Sequence, residues 1–185
     1  MTAIKFSVLR WALSLSLLVL MSVPTYGASV QGDNEVEIAG GFFHGQGSGT
    51  GALNADVAYG YYLTRGWEIG LRQALNYNFV DDHRDLWTVT TTPFINYNFH
   101  VSERIIPFLG GFVGAAWNDR DATGTIGPNG GLKIYLSDQT YLSTRYRYEW
   151  FFDSLRGIDR NKNAGNHVVS IGLGFVWGGA RKTTN

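Results

Sequence analysis

The chain has 185 residues with 15 basic and 15 acidic side chains, no cysteine, 24 glycines and 15% aromatic residues. Balanced charge with no basic stripe argues against a nucleic-acid partner, and the lack of cysteine excludes disulfides and thiolate metal sites while leaving the compartment open. Abundant aromatics together with abundant glycine suit a membrane β-barrel, where aromatic girdles mark the interfaces and small residues relieve crowding in a narrow lumen.

The N-terminus reads as a targeting leader. Lys5 and Arg10 form a short basic region, residues 11–21 an apolar run short of the ~20 needed for a spanning helix, and Pro24-Thr-Tyr-Gly-Ala28 a small-residue cleavage region. Cleavage is expected after Gly27 or Ala28. That makes residues 1–27 a signal peptide, 28–178 the folded domain and 179–185 a short tail. Loss of Lys5 and Arg10 leaves 13 basic against 15 acidic residues, a net charge of −2.

From Asn34 onward no segment sustains a 3.6-residue period, whereas alternation with a period of two recurs along the chain. The first strand, 35–43, sets Val36, Ile38, Gly40 and Phe42 against Glu35, Glu37, Ala39 and Gly41. A glycine-rich gap over 44–54 precedes the second, where Val57, Tyr59, Tyr61 and Leu63 oppose Asp56, Ala58, Gly60 and Tyr62. Thr64-Arg65-Gly66 is a tight turn. The third strand places Trp67, Ile69, Leu71, Leu75, Tyr77 and Phe79 outward and Glu68, Gly70, Arg72, Ala74, Asn76 and Asn78 inward, with Gln73 the polar exception in the outer row.

A charged loop over 80–86 leads to the fourth strand, 87–100, whose outward row is Trp87, Val89, Ile95, Tyr97 and Phe99. Pro93 removes a ladder donor, so a bulge or local break is expected there. The fifth strand, 105–117, leaves its phase open: either Leu109, Val113 and Trp117 or Phe108 and Phe112 face outward. After polar residues 118–122 the sixth strand becomes regular only at Leu132, Ile134 and Leu136, and residues 127–131 read as loop. The seventh, 140–152, sets Leu142, Tyr146, Tyr148 and Trp150 against Ser143, Arg145, Arg147 and Glu149. Residues 153–166 form the longest gap.

The last strand runs His-Val-Val-Ser-Ile-Gly-Leu-Gly-Phe-Val-Trp over 167–177, with Val169, Ile171, Leu173, Phe175 and Trp177 on one greasy face. The eight strands are separated by gaps that alternate long and short, as the extracellular loops and periplasmic turns of outer-membrane barrels do, and an even strand count returns both termini to the periplasm. Under this topology Trp67 and Trp177 fall at the periplasmic rim and Trp87, Trp117 and Trp150 at the outer rim, the positions of two interface girdles. A soluble barrel or sandwich also alternates, but it would bury the apolar rows and pack bulky Tyr and Trp stacks into a small interior. The expected fold is therefore an all-β, eight-stranded antiparallel up-and-down transmembrane β-barrel.

Ser170-x-Gly172-x-x-Phe175-x-Trp177 resembles the C-terminal signal by which outer-membrane barrels are passed to the barrel-assembly machinery. With Arg145-Tyr-Arg-Tyr-Glu-Trp150 and Pro107-Phe-Leu-Gly-Gly111, it makes the chain resemble the OmpA/OmpX-like superfamily of small outer-membrane barrels. The chain departs from many members in continuing past Trp177. The resemblance implies a Gram-negative outer membrane, periplasmic chaperones and the assembly machinery as partners during biogenesis, lipid and lipopolysaccharide as surroundings, and a monomeric state.

Residues suited to catalysis are sparse. His44, His83, His100 and His167 lack metal-ligand spacing. Asp119-x-Asp121-x-Thr123-Gly124 opens like a calcium loop but has Gly130 where a bidentate Glu is needed. The glycine run 45–51 precedes no helix and is no phosphate cradle. No cofactor, metal or catalytic set is expected. The enzymatic alternative is a lipid A deacylase or acyltransferase, since both occur as eight-stranded barrels; deacylases carry a lipid-facing His-x-Ser pair on a late strand, whereas His167 and Ser170 here point to opposite faces.

What remains is the inward charge. Glu37 and Glu68 are expected toward the periplasmic end, Arg72, Lys133 and Arg145 near the middle, and Arg147, Asp56 and Glu149 toward the outside, with Glu35 and Asp56 the charges most able to sit in water at an open end. Eight strands leave an interior just wide enough for side chains to fill, and unpaired charge there is costly. The expected function is a structural or surface-interaction barrel with a charge-filled lumen and binding through extracellular loops. A small low-conductance pore is the further alternative.

Overall fold

A computed structural model describes residues 29–44, 51–79, 86–119, 121–152 and 166–179. The expected leader, most of the expected long loops and the end of the tail lie outside these residues. Eight strands follow in chain order: β1 (Asn34–His44), β2 (Gly51–Tyr62), β3 (Trp67–Phe79), β4 (Leu86–Asn98), β5 (Ile105–Trp117), β6 (Ala122–Tyr135), β7 (Thr140–Phe151) and β8 (Asn166–Trp177). Each pairs antiparallel with its sequence neighbours, and β8 returns to β1, so the sheet closes into an eight-stranded up-and-down barrel. Closure leaves no free sheet edge. The short connections after β2, β4 and β6 share one end of the barrel with the first residue of β1 and the last of β8; we call it the short-turn end, and its opposite the long-loop end.

Strand alternation sorts the side chains as the sequence implies. Ile38, Leu71, Leu109, Val169 and Ile171 are exposed on the outer wall, while Glu37, Glu68, Arg72, Lys133 and Arg147 are buried inside. Such a wall is inside-out relative to a soluble protein. The phase of β5 is settled: Phe108 and Phe112 turn into the lumen and Leu109 and Val113 face out, with half-buried Trp117 in the outward row.

Two local expectations change and a third holds. β2 begins at Gly51, inside the expected gap, because Gly51 to Ala55 extend the pairing with β3 despite their low strand propensity. β6 likewise starts at Ala122 and takes in residues 127–131: the ladder to β5 is continuous from Ala122 to Ile134, so backbone pairing overrides a glycine-rich sequence. The local break expected at Pro93 is there, without a bulge. The β4–β5 register is the same on either side of it (Thr91 with Ala115, Phe94 with Phe112), and the pairing merely skips at 92–93. Pro128 marks a similar skip between β6 and β7. A proline has no N–H to give, so the ladder opens without a change of register.

The segments just before β1 and just after β8 are fastened to each other beside the β1–β8 seam. The Asp33 carboxylate accepts the N–H of Val30 at 2.8 Å and of Gly179 at 2.8 Å, while the Asp33 carbonyl accepts the N–H of Tyr62 at 2.9 Å. Gly179, expected in a free tail, is thus part of the fold.

Candidate functional site

The concentrated chemistry of this chain is in its lumen, and it divides into two tiers. Near the short-turn end, Lys133 of β6 lies between Glu35 of β1 and Glu68 of β3. Its Nζ donates to both Glu35 oxygens at 2.8 and 2.7 Å, to Glu68 Oε2 at 3.0 Å and to the Tyr62 hydroxyl at 2.9 Å. Tyr62 in turn donates to Glu35 at 2.7 Å, and the Asn98 amide donates to Glu68 at 3.0 Å. One lysine therefore ties together β1, β2, β3, β4 and β6. The rings of Tyr62, Phe108 and Tyr141 surround the ammonium at 5.4, 5.6 and 5.1 Å, within cation–π range.

Arg145 of β7 forms the adjoining bond set. Its two terminal nitrogens donate to the two oxygens of Glu37 at 2.6 and 3.0 Å, a bidentate fork, and Tyr141 adds its hydroxyl to Glu37 at 3.1 Å. Charge-assisted bidentate pairs are the strong and directional ones. Tyr141 fits because β8 offers Gly174 opposite it; a Cβ there would collide with the Tyr141 ring. Glu35, expected in water at an open end, is instead buried and doubly bonded. Lys133, expected near mid-depth, belongs to this short-turn tier.

Toward the long-loop end the arrangement changes. Arg72, Arg145 and Arg147 approach one oxygen of Asp56 at 3.3, 3.8 and 3.7 Å, and Arg147 Nε lies 3.5 Å from Glu149. These are ion pairs by distance, but both Asp56 oxygens and all three Arg72 nitrogens lack a hydrogen-bond partner among the described residues. The same holds for Thr88, Thr125 and both polar atoms of the Asn129 side chain. Asp56, the other charge expected in water, is buried too. Arg72 stacks on Phe94, 4.7 Å from the ring centre, so one face of its guanidinium is covered by the ring. Buried polar groups without protein partners are ordinarily met by water.

Outside, the tryptophans lie near the two ends of the wall. Trp67 and Trp177 are exposed at the short-turn end, where Trp67 meets Tyr97 edge-on at 5.0 Å and Trp177 stacks on Phe175 at 5.8 Å. Trp150 is exposed toward the long-loop end, and Trp87 and Trp117 are half-buried there. In β8, Ser170 and Gly172 face the lumen while Phe175 and Trp177 face out. Gly172 packs against Ser143 and Ala39, so the fold itself requires a small residue there. His167 is exposed on the wall with its Nδ1 2.7 Å from the Tyr146 hydroxyl, whereas Ser170 is buried inside; the two share no site.

Sequence reading missed Tyr62, Tyr141 and Asn98 as members of the lumen network. Inward parity on strands whose other aromatics face out was the available signal.

No protein-family model matches the chain, and no curated protein is similar to it. Solved structures do match. The outer membrane protein OprG from Pseudomonas aeruginosa aligns with TM-score 0.59 and 12% identity, over 82% of this chain and 99% of that one. Neisserial surface protein A aligns with TM-score 0.55 and 14% identity, over 78% and 93%. Ail, the attachment invasion locus protein of Yersinia pestis, aligns with TM-score 0.50 and 12% identity, over 80% and 100%. At these identities the likeness is one of fold, and that fold is the small eight-stranded barrel found in outer membrane proteins.

Proposed function

We propose that the protein is an outer-membrane barrel with a closed lumen, serving a structural or cell-surface interaction role and offering its long-loop end to partners. The observation that carries this reading is the short-turn tier, where Lys133, Glu35, Glu68 and Tyr62 bond directly across the barrel and Arg145 clasps Glu37. Direct bonds across the barrel at these distances support a lumen without the continuous water column that ions need. Support for the membrane comes from the exposed apolar wall with tryptophans near both ends. Fold-mates include a surface protein and an attachment invasion locus protein, which favours a role at the cell surface.

On this reading both termini are periplasmic, the barrel is a monomer surrounded by lipid and lipopolysaccharide, and Ser170, Gly172, Phe175 and Trp177 present the chain to the barrel-assembly machinery after periplasmic chaperones deliver it. Planar-bilayer recording tests the closed lumen. The expected result is no steady conductance in the wild type, with flickering openings in Lys133→Ala; stable ohmic channels from the unaltered protein would overturn it.

A further inference from the structure

One residue of the outer wall serves neither the lumen nor the girdles. Gln73 interrupts the outward row of β3 between Leu71 and Leu75, and all three side chains are exposed. β3 runs from Trp67 to Phe79, so Gln73 is its central residue and lies at mid-wall. At the centres of other strands the outward residues are Ile38, Val57, Gly111, Pro128 and Ile171, none with a polar side chain. Thr144 of β7 also faces out at that depth, but it brings a single hydroxyl. Across the ladder Gln73 meets Thr91 of β4, whose hydroxyl donates to the Gln73 side-chain oxygen. The Gln73 side chain makes no other hydrogen bond among the described residues. Both amide hydrogens and the second lone pair of the oxygen are therefore unused.

We propose that Gln73 is the centre of a lateral contact between two copies of this chain, in which each Gln73 donates an amide hydrogen to the carbonyl oxygen of the other. The inference rests on the membrane reading above, because only in hydrocarbon does an open carboxamide at mid-wall lack water. Acyl tails supply no donor or acceptor at that depth, since the ester and hydroxyl groups of a lipid lie near its head. A closed ladder offers no free edge to an incoming strand. The partner is therefore a polar side chain on another membrane-spanning surface. A carboxamide is its own complement, and a two-fold axis along the membrane normal brings the same residue of each copy to the same depth. Thr91 prepares the amide for this by engaging one lone pair of its oxygen and leaving the other open. Each barrel remains the single-chain unit described above; the contact joins finished barrels through Gln73 and its outward neighbours Val57, Leu71 and Leu75.

A chain without cysteine suits a cross-linking test. Single-cysteine variants Leu71→Cys and Leu75→Cys on β3, and Ile171→Cys on β8, are reconstituted in phosphatidylcholine vesicles at a low protein-to-lipid ratio. They are oxidised with copper phenanthroline, which enters the bilayer. Disulfide-linked dimers of the two β3 variants should exceed those of Ile171→Cys about tenfold, the ratio to which ~1.4 kcal/mol corresponds, a size that intramembrane hydrogen bonds reach. Adding Gln73→Leu to the β3 variants should lower their cross-linking to the Ile171→Cys level. The heat-dependent gel mobility should stay, because an outward apolar residue of similar size leaves the lumen untouched. If Gln73→Leu does not fold, Gln73→Met is read in its place. Equal cross-linking at β3 and β8, or an excess at β3 that survives in the folded Gln73 variant, would overturn the proposal. Failure of the protein to float with the vesicles would overturn the membrane reading instead.

Discussion

The two tiers of the lumen each set buried cations against buried carboxylates and solve the problem of buried charge in opposite ways. In the short-turn tier Lys133 and Arg145 meet Glu35, Glu37 and Glu68 through direct hydrogen bonds, with Tyr62, Tyr141 and Asn98 occupying further lone pairs. In the long-loop tier Arg72 and Arg147 face Asp56 and Glu149 at ion-pair distances, but many of their polar atoms have no protein partner. The difference lies in reach and in donors. Two tyrosines supply rigid hydroxyls to the first tier, whereas threonines and Asn129 line the second and are too short to bridge the gaps between guanidiniums. A charge removed from water is tolerable only where its partners replace the water, so the first tier should be a mechanical lock and the second, held by ion pairs with few hydrogen bonds, the looser of the two.

This contrast can be broken most severely at Lys133. Replacing it with Met leaves Glu35 and Glu68 buried side by side without a cation, and the expected destabilisation is about 3–5 kcal/mol, read as a shift in the urea midpoint for loss of the heat-modifiable band. A shift no larger than that of a long-loop-tier variant would remove the distinction. Glu37→Gln should cost about 2 kcal/mol, since one charge-assisted fork becomes a neutral contact while Arg145 stays buried; the same gel assay reads it.

Tyr141→Phe deletes one hydroxyl bond to Glu37 and keeps the ring against Gly174, so a loss of about 1 kcal/mol is expected. Because the ring stays, the change isolates the hydrogen bond from the packing. Asp56→Asn tests the other tier. It takes away the carboxylate that Arg72, Arg145 and Arg147 approach at 3.3, 3.8 and 3.7 Å but no direct hydrogen bond of Asp56, so the loss should be smaller than that of Lys133→Met. A loss as large as that of Lys133→Met would show that the long-loop tier is held as tightly as the other.

Much of this was legible in the chain before folding. A period of two specifies which residues share a face, and the surplus of apolar residues on one face, in a chain that carries so many aromatics, specifies that the greasy side is outward. Strand count, antiparallel order and the inward direction of Glu37, Arg72, Lys133 and Arg147 follow from local patterns alone. The sequence was weakest where local preference and long-range pairing disagree. Residues 127–131 and 51–54 read as loop because glycine, proline and asparagine are poor strand formers, yet both stretches are strands because the ladder enrols their backbone groups.

Depth and partnership were decided only by the tertiary structure. Alternation says that Lys133 points inward but not which level of the barrel it meets, because the stagger between strands is a property of closure rather than of any one strand. That stagger carries Lys133 to Glu35, buries a carboxylate that seemed free to sit in water, and gives Arg145 to Glu37. It also sets Gly111 between Ile95 and Pro128. One-dimensional pattern encodes the face of each side chain; the register that joins distant strands decides its neighbours, and with them whether a charge is hydrogen-bonded or only paired at a distance.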